Sequence, residues 1–259
     1  MQGSSVSRTF LRFPGWRVRG ITRSPDDDTA RALAANGVEI VKTDLDDKQT
    51  LFSAFEGANF ISSNTDFFAH LHNTPSDRTP NEQAFDREVA QGVNIAEAAA
   101  SAAVLKTLER FVPPPLSDAR KRSSGKYTNV YHYDPKVEVI RAIKTRFPEL
   151  AARMSMVQVG HYVKNWKAFP SMAPQKQPDG SFLAFRPVAP NVQFPFVDTH
   201  RDTGPFVKAL VDLPPGKELL GASQTMTWPE WMALWGKILG VHAGFKQVSA
   251  DEFFKNVPE

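Results

Sequence analysis

The residues best suited to chemistry in this chain lie in Gly125-Lys126-Tyr127-Thr128-Asn129-Val130-Tyr131-His132-Tyr133-Asp134-Pro135-Lys136, where a polar loop feeds a helix. Proline suits a first helical position, Asp134 is placed to cap, and Val137, Val139, Ile140 and Ile143 give an apolar stripe. His132 therefore falls just before the helix and Lys136 in its first turn. A proton donor four residues ahead of a lysine suits carbonyl reduction with a nicotinamide. The ammonium binds ribose hydroxyls and lowers the donor's pKa, and the donor protonates the carbonyl as hydride arrives. His132 meets that spacing, whereas Tyr131 and Tyr133 each miss it by one residue. On these residues alone the alternative, a solvated lysine with aromatics packed behind it, stays open.

Positioning such a pair requires a scaffold, and the chain supplies an alternating one. Residues 16–22 read as a strand. Ser24 follows as a cap with Pro25 at the first helical position, the helix continues over residues 30–35, and Asn36-Gly37 ends it. Residues 38–43 form a second strand, Asp46-Asp47 cap a helix through Phe55, and residues 58–63 form a third strand. Residues 81–103 read as one long helix with Phe85, Val89, Val93, Ala96, Ala99 and Ala103 on its apolar stripe and Glu82, Arg87 and Glu97 elsewhere. Strands at residues 108–112, halted by Pro113-Pro114-Pro115, and at residues 154–159 complete the alternation. This pattern predicts βαβ units on a parallel sheet.

Beyond Gly160 the alternation lapses into a proline-rich stretch. A strand is expected over residues 181–186, a helix over 203–211, a short strand at Leu219-Leu220 and an amphipathic helix over 227–239 presenting Trp231, Leu234, Trp235 and Ile238. Such a half reads as a smaller α+β lobe packed over the sheet ends.

Composition narrows the classes. With 41% apolar and 23% charged residues the chain is ordinary globular protein, and its net charge of +3 is too small to argue for nucleic acid. No apolar run approaches the roughly 20 residues of a membrane helix, and no signal peptide opens the chain, so a soluble cytoplasmic protein is expected, with the nucleus as a second compartment. Cysteine is absent, which removes disulfides and thiolate sites. His70-x-His72 is the only close histidine pair and reads as a polar loop, so no metal is expected.

In open parallel sheets ligands bind past the carboxyl ends of the strands. After the first strand stands Arg23, which suits a ribose 2′-phosphate where an acid would take the free hydroxyls; an exposed arginine at a helix start is the other reading. After the second come Asp44 and Leu45, a place where a carboxylate accepts from an adenine amino group. After the third, Ser62-Ser63-Asn64-Thr65-Asp66-Phe67-Phe68 is suited to line a nicotinamide or substrate pocket.

Taken together, Thr22-Arg23-Ser24-Pro25, Lys42-Thr43-Asp44-Leu45-Asp46-Asp47, Asn64-Thr65-Asp66-Phe67-Phe68, Gly125-Lys126-Tyr127 with His132-x-x-x-Lys136, Gly160-His161-Tyr162-x-x-Asn165 and Val197-Asp198-x-x-Arg201-Asp202-Thr203-Gly204 make the chain resemble the NmrA-like family of atypical short-chain dehydrogenase/reductase proteins. The resemblance implies an α/β fold, a Rossmann-like doubly wound parallel sheet over residues 1–160 that binds NADP(H), with residues 161–259 mainly forming a C-terminal lobe. It implies that Arg23 binds the 2′-phosphate, Asp44 and Leu45 the adenine side, Thr65 the middle of the cofactor, Lys136 the nicotinamide ribose, and Tyr162 with Asn165 the nicotinamide edge.

Two departures from the family pattern carry expectations of their own. The family opens with a strand and the turn G-A-T-G-x-Q-G-x-S-V, while this chain opens Met1-Gln2-Gly3-Ser4-Ser5-Val6, so Gly3 alone stands for the glycine turn. A truncated start is expected, with the first strand missing, unpaired strand edges and weakened cofactor binding. At the end of the fourth strand relatives read Phe-Val-x-Ser-Ser-Leu, and this chain has Phe111-Val112-Pro113-Pro114-Pro115-Leu116, which removes a hydroxyl that would polarise a carbonyl. The expected function is an NADP(H)-dependent oxidoreductase with His132 and Lys136 as catalytic residues, acting on a small carbonyl or enone of secondary metabolism. The alternatives are a non-catalytic NADP(H) sensor that binds a regulatory protein, and an inactive fragment.

Overall fold

A computed structural model describes residues 2–71 and 77–255, which divide into two compact units, Met1–Gln158 with Thr199–Leu220, and Val159–Asp198 with Gly221–Glu259. The boundary read near residue 160 thus falls at Gln158, and Thr199–Leu220 belongs to the first unit.

In the first unit helix α1 (Gln2–Phe10) precedes strand β1 (Arg19–Thr22), then α2 (Asp28–Ala35), β2 (Glu39–Lys42), α3 (Lys48–Phe55) and β3 (Phe60–Ser62). A single 3₁₀ turn (Phe67–His70) leads to α4 (Pro80–Ala99), α5 (Ala102–Leu105), β4 (Arg110–Val112), α6 (Ala119–Arg122), α7 (Asp134–Arg146), α8 (Pro148–Ala151) and β5 (Met156–Val159). The second unit contributes β6 (His161–Tyr162), α9 (Asn165–Ala168), β7 (Gln175–Lys176), β8 (Phe182–Arg186) and β9 (Phe194–Val197). The chain returns to the first unit for α10 (Thr203–Asp212) and β10 (Glu218–Gly221), then closes the second with β11 (Gln224–Met226), α11 (Trp228–Leu239), β12 (Ala243–Gln247) and α12 (Ala250–Phe254).

The expected α/β alternation forms, with β1 parallel to β2 and β3 parallel to β4. Met154 bridges to Phe111 in the same parallel sense. The β1–β2 and β3–β4 pairs are separate ladders, so among the described residues the sheet is interrupted between them. Phe10 of α1 stacks on Phe60 of β3 (centroids 5.1 Å) and meets Trp16 edge-on (4.6 Å), giving the apolar flanks of both pairs a shared aromatic cluster. On the far side of α1, the Gly204 amide of α10 donates to Ser5 Oγ at 3.0 Å. A Cβ at Gly204 would lie 2.4 Å from the Ser5 carbonyl oxygen, so the crossing of these helices needs glycine. The core joins Leu51 and Phe55 of α3, Ile95 and Ala99 of α4, Phe111 of β4, and Val139 and Ile143 of α7.

The second unit holds two sheets, β11-β9-β6 and β12-β8-β7, each mixing parallel and antiparallel pairs, and its core gathers Phe196, Trp228, Trp231 and Met232. This is the α+β character read from the sequence.

Several local expectations are corrected. Ser24 does not cap α2. Its amide donates to Thr22 Oγ1, and Asp27 caps instead, accepting from the Ala30 amide at 2.6 Å. The helix expected over residues 81–103 breaks after Ala99, because Ser101 accepts from Val104 N and caps the separate α5. Of the stripe expected on this helix, Ala96 and Ala99 are buried, whereas over the first three turns the inward face carries Ala84, Glu88, Gln91, Gly92 and Ile95, one position away from Phe85, Val89 and Val93, and Ala103 is exposed. Polar partners for Glu88 and Gln91 make their burial affordable. On α11, Trp228, Trp231 and Met232 are buried while Leu234 and Ile238 are exposed.

Candidate functional site

The loop before α7 is wound tightly on itself. Tyr133 N and Asp134 N both donate to the Val130 carbonyl, and Val130 N donates back to Asp134 Oδ2 at 2.9 Å. Asp134 therefore does not cap the helix as its position had suggested. It is the first helical residue, and its carboxylate serves the loop. Burial raises its pKa, with Asp118 and Glu138 adding to the effect against the Val130 hydrogen bond. This turn fixes His132 just ahead of the helix and Lys136 inside its first turn.

Packing of α7 on α4 brings Lys136 to its partner. The helices cross at Gly92, where a Cβ would come within 2.3 Å of Val139 Cγ2. One turn earlier on α4 stands Glu88, fully buried, whose Oε1 accepts from Lys136 Nζ. The same oxygen accepts from Thr65 Oγ1 at 2.6 Å. Glu88 Oε2 is buried and has no hydrogen-bond partner among the described residues. The Lys136 side chain is 12% exposed, so this is a desolvated ion pair and not a surface one.

His132 meets Tyr133 edge-on at 4.7 Å and lies 5.6 Å from the Phe68 ring and 6.4 Å from Phe67, with its outer side open to solvent. Desolvation by these neighbours lowers its pKa, the Lys136 charge lowers it further, and Glu88 opposes both. Tyr131 lines a different groove, with Phe85, Asp118 and Arg141.

A second polar cluster orders the loop after β2. Asp46 Oδ2 accepts from Arg87 at 2.6 Å and its Oδ1 from Gln91 at 3.0 Å, while Gln91 Oε1 also meets His70 Nε2 at 3.1 Å. Asn94 donates to the Leu45 carbonyl at 2.9 Å, and Asp44 Oδ1 accepts from Asp46 N at 3.0 Å. Burial works to raise the Asp46 pKa, but the bonds from Arg87 and Gln91 hold it below the usual range. Helix α4 thus positions the loops carrying Asp44, Leu45 and Thr65 as well as Lys136.

Of the residues singled out in the sequence, Thr65 and Lys136 converge on Glu88, and Asp44 and Leu45 share one ordered loop. Gly3 lies exposed in the first turn of α1, and among the described residues nothing beyond its chain neighbours and its own helix backbone stands within 4 Å of a would-be Cβ. Arg23 is exposed just beyond β1. Tyr162 ends β6 and Asn165 begins α9, both in the second unit. His70 is buried on Gln91, and His72 lies outside the described residues. Glu88, Gln91 and Asn94 escaped the sequence reading; their spacing of three along α4 was the available signal.

This set fits a dinucleotide: an open helix start at Gly3, an ordered acidic loop at Asp44, and an ammonium with donors beyond its one acceptor at Lys136. The crevice beside Lys136, walled by Ser63, Thr65, Pro113 and Pro114, has room of about 10 Å³, roughly one water. Its walls must part to admit a ring.

Comparison with known proteins agrees with this architecture. The chain is 26% identical over 279 residues to the NmrA-like family domain-containing oxidoreductase hkm9 of Aspergillus hancockii, covering 100% of this chain and 76% of that protein. It is 36% identical over 115 residues to the oxidoreductase FrzB of Cladobotryum sp, covering 44% of this chain and only 31% of the relative. In structure it is similar to NmrA, a negative transcriptional regulator also solved with NADP, at a TM-score of 0.78 for one crystal form, with 23% identity over 95% of this chain and 71% of that one. The triphenylmethane reductase of Citrobacter sp, also solved with NADP(H), gives a TM-score of 0.66 at 17% identity, over 100% of this chain and 81% of that one. These structural likenesses establish a Rossmann-type fold. With the NmrA-like family pattern matching residues 1–259, the chain belongs to the NmrA-like family.

Proposed function

We propose that this chain is an NADP(H)-dependent oxidoreductase acting on a small carbonyl or enone, with Lys136 and His132 at its reacting end. The observation that supports it most is the buried Lys136–Glu88–Thr65 cluster one turn from His132, in a family whose named relatives include oxidoreductases. NADPH, when bound, supplies the hydride. Lys136 binds ribose hydroxyls, Arg23 the 2′-phosphate, and the Asp44–Leu45 loop the adenine side. His132 takes up a proton from solvent on its open side and, as the imidazolium, delivers it to the substrate oxygen beside the rings of Phe67 and Phe68, returning to the neutral imidazole. The Ser63 hydroxyl, which lines the crevice where Pro113 and Pro114 offer no donor, polarises the carbonyl.

Turnover of NADPH with a panel of carbonyls and enones tests this reading. His132→Phe and Lys136→Met abolish turnover in folded protein, and Ser63→Ala lowers kcat by about a hundredfold with little change in KM. Unchanged turnover in His132→Phe would contradict the assignment. The prolines at 113–115 favour a second reading, a non-catalytic NADP(H) sensor; it binds cofactor and consumes none with any substrate.

A further inference from the structure

The ammonium assigned to the cofactor does not stand free. It is held by a carboxylate with no accessible surface, and the same carboxylate oxygen holds Thr65 on the loop after β3. We infer that Glu88 is the positioning residue of this site, fixing Lys136 and Thr65 at one point so that the remaining lysine donors face a cofactor. The inference rests on the function proposed above.

Three features carry it. The pair is desolvated, so its geometry is strongly determined and the loss of either partner is felt by the other. A lysine has three donors, and Glu88 engages one, which leaves the others for ribose hydroxyls. Thr65 and Lys136 come from segments far apart in sequence, and the Glu88 carboxylate bonds both. Glu88 touches neither cofactor nor substrate in this scheme and acts through Lys136.

A double-mutant cycle on NADPH affinity tests it, using the full chain as wild type, Glu88→Gln, Lys136→Met and the double variant. Glutamine keeps an acceptor for Thr65 while removing the charge, and the double variant leaves no buried charge unpaired. Glu88→Gln weakens NADPH binding by roughly threefold to a hundredfold in the wild-type background and has no further effect once Lys136 is Met. An equal loss in both backgrounds, or none in either, overturns the inference, because a merely structural role is independent of Lys136. A second readout needs no cofactor: the Lys136 ammonium gives a solvent-protected ¹⁵N–¹H signal, absent in Lys136→Met and lost to exchange in Glu88→Gln. Persistence of that signal in Glu88→Gln also overturns the inference. A protected signal without any NADPH affinity leaves the hold of Glu88 standing and sinks the proposed function instead.

Discussion

His161 illustrates at the scale of one residue how burial sets chemistry in this protein. Its ring meets Phe196 and Trp228 edge-on, each at 5.4 Å, and burial, with the nearby Arg186 charge adding, lowers its pKa to about 4. The unfolded chain takes up a proton near pH 6.5 and the folded chain does not, so stability is full above pH 6.5 and falls as the pH drops toward 4. The loss amounts to about 2–3 kcal/mol. Urea unfolding across this window checks it. His161→Phe flattens the pH slope by about one proton, and an unaltered slope would contradict the assignment. Among site residues, the sequence made His132 and Lys136 legible because their relation is local, four positions at a helix start. Glu88 was not legible, because a carboxylate in mid-helix reads as solvent-facing unless the residues that satisfy it, here Thr65 and Lys136, are known to converge on it.

At the scale of elements, the crossing of α4 and α7 decides whether the site exists. Gly92 lets Val139 come close enough for Lys136 to reach Glu88. Gly92→Ala forces Val139 aside and costs about 1–3 kcal/mol, and Val139→Ala in that background restores most of the loss. Thermal unfolding of the two single variants and the double one measures this; additive losses would show that the glycine serves another purpose. Element type was readable where a cap and an apolar run agree, as at Asp47 before α3. Boundaries slipped where two caps competed, as with Ser24 and Asp27, and the face of α4 was misread over Phe85, Val89 and Val93, where the inner side is partly polar, but not at Ala96 and Ala99. The outer face of α11 was misread for the opposite reason, since Leu234 and Ile238 are apolar yet exposed.

At the scale of the whole molecule, the parallel pairs β1–β2 and β3–β4 stand as separate ladders among the described residues, and Phe10, Trp16 and Phe60 form an aromatic cluster that packs α1 on β3. The α/β class was legible from the alternation of capped helices with short apolar strands. The return of Thr199–Leu220 to the first unit was not, since that depends on the Gly204–Ser5 crossing between helices distant in sequence. Membership of the NmrA-like family fixes the fold, and cofactor binding by this chain is the claim on which the proposed chemistry depends. Calorimetric titration with NADPH of the wild type beside Lys136→Met, both checked for folding by circular dichroism, tests it most directly. The account predicts saturable binding by the wild type, weakened at least tenfold in the variant. No heat of binding by the wild type, or equal affinity in the two, would contradict it.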